Sequence, residues 1–280
     1  MRIAYSTNAF TCTDLPSAVR AIADLGYDGV EILCDRPHWF PGEVSAAEAA
    51  ALRGLLDEHG LAVSNLNANN ANGYFDPPPP ESVFEPALSN PDPAARGWRQ
   101  RYTIEALRLA AAVGAPAVSV TSGRPRPGCA PQRALDHFVE ALGPIGQAAA
   151  DLGVRVGIEY EPGLLVERAT EVVEVIARVG SPALGVNLDL GHSYLEGEQP
   201  EAVVGLLAGR IWNVHVEDIR RRKHFHLVPG EGDVPLERYL AALQATGYAG
   251  FLTVELYSYP EAPVEVGRRA LAYLRSVLGS

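Results

Sequence analysis

The 280-residue chain is 47% hydrophobic with a formal net charge of −11, a size and apolar content suited to one large α/β domain rather than two average ones. Its acidic residues are spread along the whole length, so long-range repulsion disfavours a nucleic-acid or anionic-membrane partner, and a small polar substrate fits better. Cys12, Cys34 and Cys129 are widely spaced with no C-x-x-C pair, which argues against a disulfide framework and a thiolate zinc site and makes a reducing cytoplasm the expected location.

In chain order, the opening MRIAYSTNAF turns polar too soon for a signal-peptide core, and no later stretch approaches the ~20 apolar residues of a membrane span. Short β-branched runs predict strands at Arg2–Ser6, Gly29–Leu33, Ala62–Asn67, Ala117–Ser122, Arg155–Glu159, Leu184–Asp189, Ile211–Glu217 and Phe251–Leu256. Amphipathic Ala/Leu-rich stretches separate them, among them LPSAVRAIADLG, SAAEAAALRGLLDEHG, IEALRLAAAVG, ERATEVVEVIARVG and LERYLAALQATG. Most end in a Gly suited to a left-handed C-cap. Eight such units predict an α/β fold, a single (β/α)8 TIM barrel domain spanning 1–280. An open doubly wound sheet would want a Gly-rich phosphate turn after the first strand, where this chain reads STNAFTCTDLP.

Two connections break the rhythm. Residues 69–97 form a Pro-rich segment after the third strand, too long for an ordinary βα loop. It is read as an inserted lid-like loop over the barrel mouth, with Tyr74, Phe75 and Phe84 as apolar contacts, against the plainer reading of a surface excursion. After the seventh strand, DIRRRKHFHLVPGEGDVP gathers the Arg220–Lys223 run and two histidines beside acidic strand ends. It suits either a phosphate or carboxylate ligand or simple charge neutralisation.

Chemistry concentrates where the last four strands end. Glu159, Asp189, His215 and Glu255 each interrupt an apolar run close to its carboxyl end. A charge buried there is costly unless paired or coordinated, so several converging on one mouth point to a metal or catalytic site. Three carboxylates and one imidazole suit a divalent cation, Mn, Zn, Mg or Co, with coordination positions left open. Glu161 shares a face with Glu159 by the period of two, and His192 follows Asp189 in a D-x-x-H pair. The plainer readings are a structural Glu at a strand end and a histidine satisfied by a backbone carbonyl.

The ordered set of Glu on strand 5, D-x-x-H on strand 6, His on strand 7 followed by H-x-x-P-G-E-G, and Glu on strand 8, with GYDGVEI at strand 2, resembles the xylose isomerase-like barrel superfamily of sugar (phosphate) isomerases and epimerases, related to endonuclease IV. The resemblance spans nearly the whole chain. It implies one divalent metal held by Glu159, Asp189, His215 and Glu255, proton transfer by Glu159 and Glu255, and substrate contacts from His192 and His226. Glu161 and Asn67 join these as substrate-binding candidates. The endonuclease branch carries further histidines where this chain has Asn67 or Asn69 and Thr121 or Ser122, and an Asp where it has His224, so a three-zinc cluster is not expected.

The implied activity is a metal-dependent isomerase or epimerase acting on a small sugar, sugar phosphate or related hydroxy-carbonyl compound through an enediolate. Proton return to the same carbon gives epimerisation, and return to the neighbouring carbon gives isomerisation. The alternatives are a metal-dependent lyase or hydrolase on the same barrel, or a non-catalytic binding protein. A homodimer or homotetramer is the assembly left open.

Overall fold

The computed structural model describes residues 1–81 and 83–279. Eight parallel strands close into a barrel: β1 (Arg2–Ser6), β2 (Gly29–Leu33), β3 (Ala62–Asn67), β4 (Ala117–Thr121), β5 (Arg155–Glu159), β6 (Leu184–Asp189), β7 (Ile211–Val216) and β10 (Phe251–Val254). Closure is made by β10 against β1, in register from Arg2↔Phe251 to Tyr5↔Val254. The expected (β/α)8 barrel is therefore the fold, with three strands ending a residue or two early where the chain turns out into the mouth loops. The basic connection after β7 is not an open loop but an antiparallel hairpin, β8 (Asp218–Arg220) and β9 (Lys223–Leu227).

Nine described helices surround the strands: α1 (Leu15–Leu25), α2 (Ala46–His59), α3 (Pro93–Val113), α4 (Pro131–Leu152), α5 (Ala169–Val179), α6 (Leu190–Leu195), α7 (Pro200–Leu207), α8 (Leu236–Ala245) and α9 (Pro263–Leu278). Their ends follow local chemistry. Ser45 and Glu48 form a reciprocal capping box on α2, and α1 to α5 all finish against a left-handed glycine. Asp92 caps α3 by accepting from the Ala94 amide, so this helix starts well before the IEALRLAAAVG stretch and absorbs the end of the Pro-rich segment. Among the described residues no helix is long and apolar enough to cross a membrane.

Strand alternation separates two environments. Val118, Val120, Val156, Ile158, Val186, Leu188, Val214 and Val216 belong to the buried apolar core. The intervening positions meet inside the barrel as a polar floor. There Asn65 donates to Glu31 (2.8 Å) and Ser119 (3.0 Å), Asn213 donates to Asn187 (2.8 Å), and Thr253 donates to Asn213 (2.8 Å). Gly157 gives Asn187 room to cross, since a Cβ there would lie 2.9 Å from the Asn187 backbone nitrogen. A hydrogen-bonded polar layer of this kind fixes side-chain positions tightly, and the candidate site rests on it.

The segment after β3 is pinned at its base. Arg99 donates to the Ala68 and Asn69 carbonyls (2.5 and 2.8 Å), and Asp35 accepts from the Asn72 and Gly73 amides (2.6 and 2.9 Å). Phe84 lines the central cavity. Tyr74 instead packs on Trp98, with ring centroids 4.5 Å apart, and Phe75 packs on Tyr74.

Candidate metal centre and active site

At the barrel mouth the four residues singled out from the sequence come together. Glu159, Asp189, His215 and Glu255 are all buried, and they offer ligand atoms within 4.8 Å of one another. His215 Nδ1 sits among the carboxylates, 3.2 Å from Glu159 Oε2, 3.6 Å from Glu255 Oε2 and 3.9 Å from Asp189 Oδ2.

Local folding explains how each is aimed. Asp189 is the N-cap of α6: its Oδ1 accepts from the His192 amide at 2.7 Å, which leaves Oδ2 turned toward the cluster. The D-x-x-H spacing is thus a capping motif that also sets His192 beside the site. Gly191 is required because a Cβ there would lie 2.0 Å from Glu217 Oε1, the oxygen that accepts from the Gly191 amide at 2.8 Å. Asp218 shapes the P-G-E-G turn by accepting from the Gly230 and Val234 amides, both at 3.0 Å. That turn follows His226, whose Nδ1 lies 2.9 Å from the Glu255 carbonyl. A carbonyl only accepts, so the His226 Nδ1 carries the proton and Nε2 faces away from it.

Amides from the other side of the rim hold the two glutamates. Asn8 and Asn67 both donate to Glu255 Oε1, at 2.9 and 3.0 Å. Asn69 donates to Glu159 Oε2 at 2.9 Å, and Asn187 donates to the same oxygen. Glu255 Oε2 and Glu159 Oε1 receive none of these amide donors.

The electrostatics of the set match a missing positive charge. Burial, then the neighbouring Glu217 and Glu159, push the Asp189 carboxyl well above its usual range. Burial also pushes Glu255 well above its usual range, His215 only partly offsetting it. Burial alone would hold His215 neutral, yet Glu255, Glu31 and Glu159 outweigh it and raise its pKa well above 6.5. Among the described residues Asp189 Oδ2 is buried without a hydrogen-bond partner, an oxygen that needs a proton or a cation. Three buried carboxylates, one imidazole and an orphaned oxygen are the donor set of a divalent cation, and the residues present fit that ion.

A cavity of about 550 Å³ opens above the cluster, lined by Glu159, Glu255, Asn67, Glu161, His192 and His226 among others. All four substrate-contact candidates thus share it with the two glutamates. Burial, with Glu159 and Asp189 adding to it, pushes Glu161 well above its usual range. His224 joins from the hairpin: its Nε2 lies 3.1 Å from His192 Nε2 and 3.3 Å from His226 Nε2. Burial and mutual repulsion keep His192 and His226 neutral. By contrast, none of Arg220–Lys223 is among the residues lining this cavity. Arg220 donates to the Glu231 carbonyl and Arg222 to the Tyr194 and Leu195 carbonyls, so these two brace the outer wall.

Sequence reasoning passed over Glu31, Asn8, Asn187 and Asn213. A signal existed for three of them. Glu31 interrupts the apolar run GVEIL as Glu159 interrupts RVGIE, and Asn187 and Asn213 stand two residues before Asp189 and His215 on the same strand faces. Glu217 and Asp218, which follow closely on His215, stand in the supports just described.

Comparisons with known proteins bear on the fold and the family. A fructoselysine 3-epimerase of Escherichia coli is 25% identical over 97% of this chain and 98% of its own length. A 3-dehydroshikimate dehydratase of Pseudomonas putida is 26% identical over 93% of this chain but 40% of its own. In fold, the chain resembles a D-tagatose 3-epimerase-like protein, with a TM-score of 0.81, 22% identity and 100% and 99% of the two chains covered. It also resembles a 3-keto-D-glucoside 4-epimerase from E. coli, with a TM-score of 0.81, 18% identity and 99% of each chain covered. The family model described as a xylose isomerase-like TIM barrel matches residues 19–277, and on that match the chain belongs to the xylose isomerase-like TIM barrel family.

Proposed function

We propose that the protein is a divalent-metal-dependent epimerase or isomerase of a small sugar or related hydroxy-carbonyl compound. The observation that carries the reading is the pair of buried glutamates on one cavity, each with one oxygen tied to amide donors and the other left for proton exchange. The names of relatives similar in sequence, a sugar 3-epimerase and a dehydratase, support the same class of chemistry, proton removal beside a carbonyl.

A cation held by Glu159, Asp189, His215 and Glu255 would supply Lewis-acid polarisation of the substrate carbonyl, which makes the neighbouring C–H more acidic. Glu159 Oε1 and Glu255 Oε2 then serve as the two proton stations: one takes the proton and the other returns one. Return on the opposite face inverts the centre. The neutral imidazoles of His192 and His226 offer one donor or acceptor each to substrate oxygens, and the protonated Glu161 adds a donor. Phe84 and the pinned segment after β3 limit water at the reacting carbon.

A second reading, dehydration, is favoured by Tyr257, which lines the cavity with its ring centroid 4.4 Å from that of His226. A phenol stays protonated at neutral pH, so Tyr257 has a proton to give to a departing hydroxyl. The deciding experiment incubates the manganese-loaded protein with a panel of ketoses in D₂O and follows products by NMR. Deuterium at the carbon beside the carbonyl together with a new epimer or isomer supports the first reading. A dehydrated product favours the second, and neither exchange nor product with any ketose contradicts both.

A further inference from the structure

Below the four ligands lies a fifth buried acid that touches no part of the cavity. Glu31, on β2, is completely buried, and its carboxylate accepts from the His215 imidazole: His215 Nε2 to Glu31 Oε2 is 2.8 Å. The same carboxylate is clamped by Asn65 Nδ2 at 2.8 Å and Asn67 Nδ2 at 3.2 Å. Rotating it away would strip several donors of their partner at once, each an unpaired buried group.

We infer that Glu31 is a positioning residue of the metal centre, whose acceptance of the His215 Nε2–H fixes which ring nitrogen faces the three carboxylates. This rests on the metal-dependent reading above. Two facts carry it. An ionised carboxylate can only accept, so the nitrogen facing Glu31 bears the proton, and Nδ1, the nitrogen that lies 3.2 Å from Glu159 and 3.6 Å from Glu255, is the one whose lone pair a bound cation would take in place of a proton. Secondly, Glu31 stands across the barrel from β7, so its hold on the ring sets the imidazole against the far wall rather than along its own strand. A histidine ligand steered through its second nitrogen by a carboxylate is a recurring device for tuning metal sites. Asn67 extends the link by donating to both Glu31 Oε1 and Glu255 Oε1, which ties the floor to the amide-held oxygen of one of the two proton-transferring glutamates.

Two substitutions of similar volume separate the hydrogen bond from packing: Glu31→Gln keeps an acceptor oxygen and Glu31→Met does not. The full-length protein is titrated with Co²⁺, and the exchangeable imidazole N–H of the cobalt-loaded chain is followed by proton NMR. Glu31→Met is expected to weaken cobalt binding about 10- to 100-fold, the range seen when such supports are removed, with its N–H signal lost to exchange. Glu31→Gln is expected to keep most of the affinity and to show the N–H signal shifted. Equal affinity in wild type and Glu31→Met overturns the inference while leaving the metal reading intact. A wild-type chain that binds no cobalt overturns both. If Glu31→Met does not fold, the Gln variant decides, and an unshifted N–H there overturns the role.

Discussion

The two halves of the barrel rim are built from different chemistry. Strands β5, β6, β7 and β10 end in Glu159, Asp189, His215 and Glu255, which are ionisable and converge within 4.8 Å. The half formed by β1 to β4 contributes Asn8, Asn67, Asn69 and Ser119, neutral groups that bond to the first half or to its floor. Charge on one side alone would leave carboxylates repelling one another in a low dielectric. Amides on the other side position those carboxylates without neutralising them, and the proposed metal-dependent reading assigns the balancing positive charge to a bound cation. On that reading, the division of labour is between residues that would hold the cation and residues that decide which oxygen stays free.

That contrast is broken most severely on the charged half. Glu159→Gln and Glu255→Gln each remove a proton station and are expected to lower turnover about 10²- to 10⁴-fold, measured as solvent deuterium entering the substrate; turnover within a few-fold of wild type would deny these glutamates their role. Removing metal comes next. Stripping the protein with a chelator is expected to abolish exchange, and manganese or cobalt at about 100 times the dissociation constant to restore it and add about 2.7 kcal/mol of stability; calorimetry with and without metal checks this. On the amide half, Asn67→Ala leaves Glu255 and Glu31 each one donor short. The expected cost is about 1–3 kcal/mol, read by denaturant melts, with a smaller loss of turnover than either Gln variant. The hairpin marks the lower limit: Arg222→Ala removes only contacts to the ends of α6 and should change stability by about 0.5 kcal/mol and turnover not at all.

The charged half was legible in the sequence because an ionisable residue inside an apolar strand contradicts its surroundings and stands out. Asn187 and Asn213 contradict theirs far less, which is why the amide framework emerges only once the strands are closed into a ring. Glu31 obeyed the same rule as Glu159 and was passed over because it lies in the middle of its strand, where it faces the floor rather than the mouth. The eight strands followed from alternation and glycine caps with little error. The β8–β9 hairpin did not: its strands are three and five residues long, and a run of Arg and Lys carries no hydrophobic period to announce them. Its positive charge suited either an anionic ligand or charge neutralisation, and the guanidinium groups of Arg220 and Arg222 donate to backbone carbonyls. Nor could spacing alone reveal that D-x-x-H is a helix cap as well as a site motif, since that depends on the short helix α6 beginning at Leu190.

The proposed chemistry requires one cation bound where the three carboxylates surround His215 Nδ1. Crystals of the protein loaded with manganese, with anomalous scattering collected at the metal edge, test this directly. A single strong peak in contact with Glu159, Asp189, His215 and Glu255 is the predicted result. A peak confined to His192, His224 and His226, or no peak at all at saturating manganese, would contradict it.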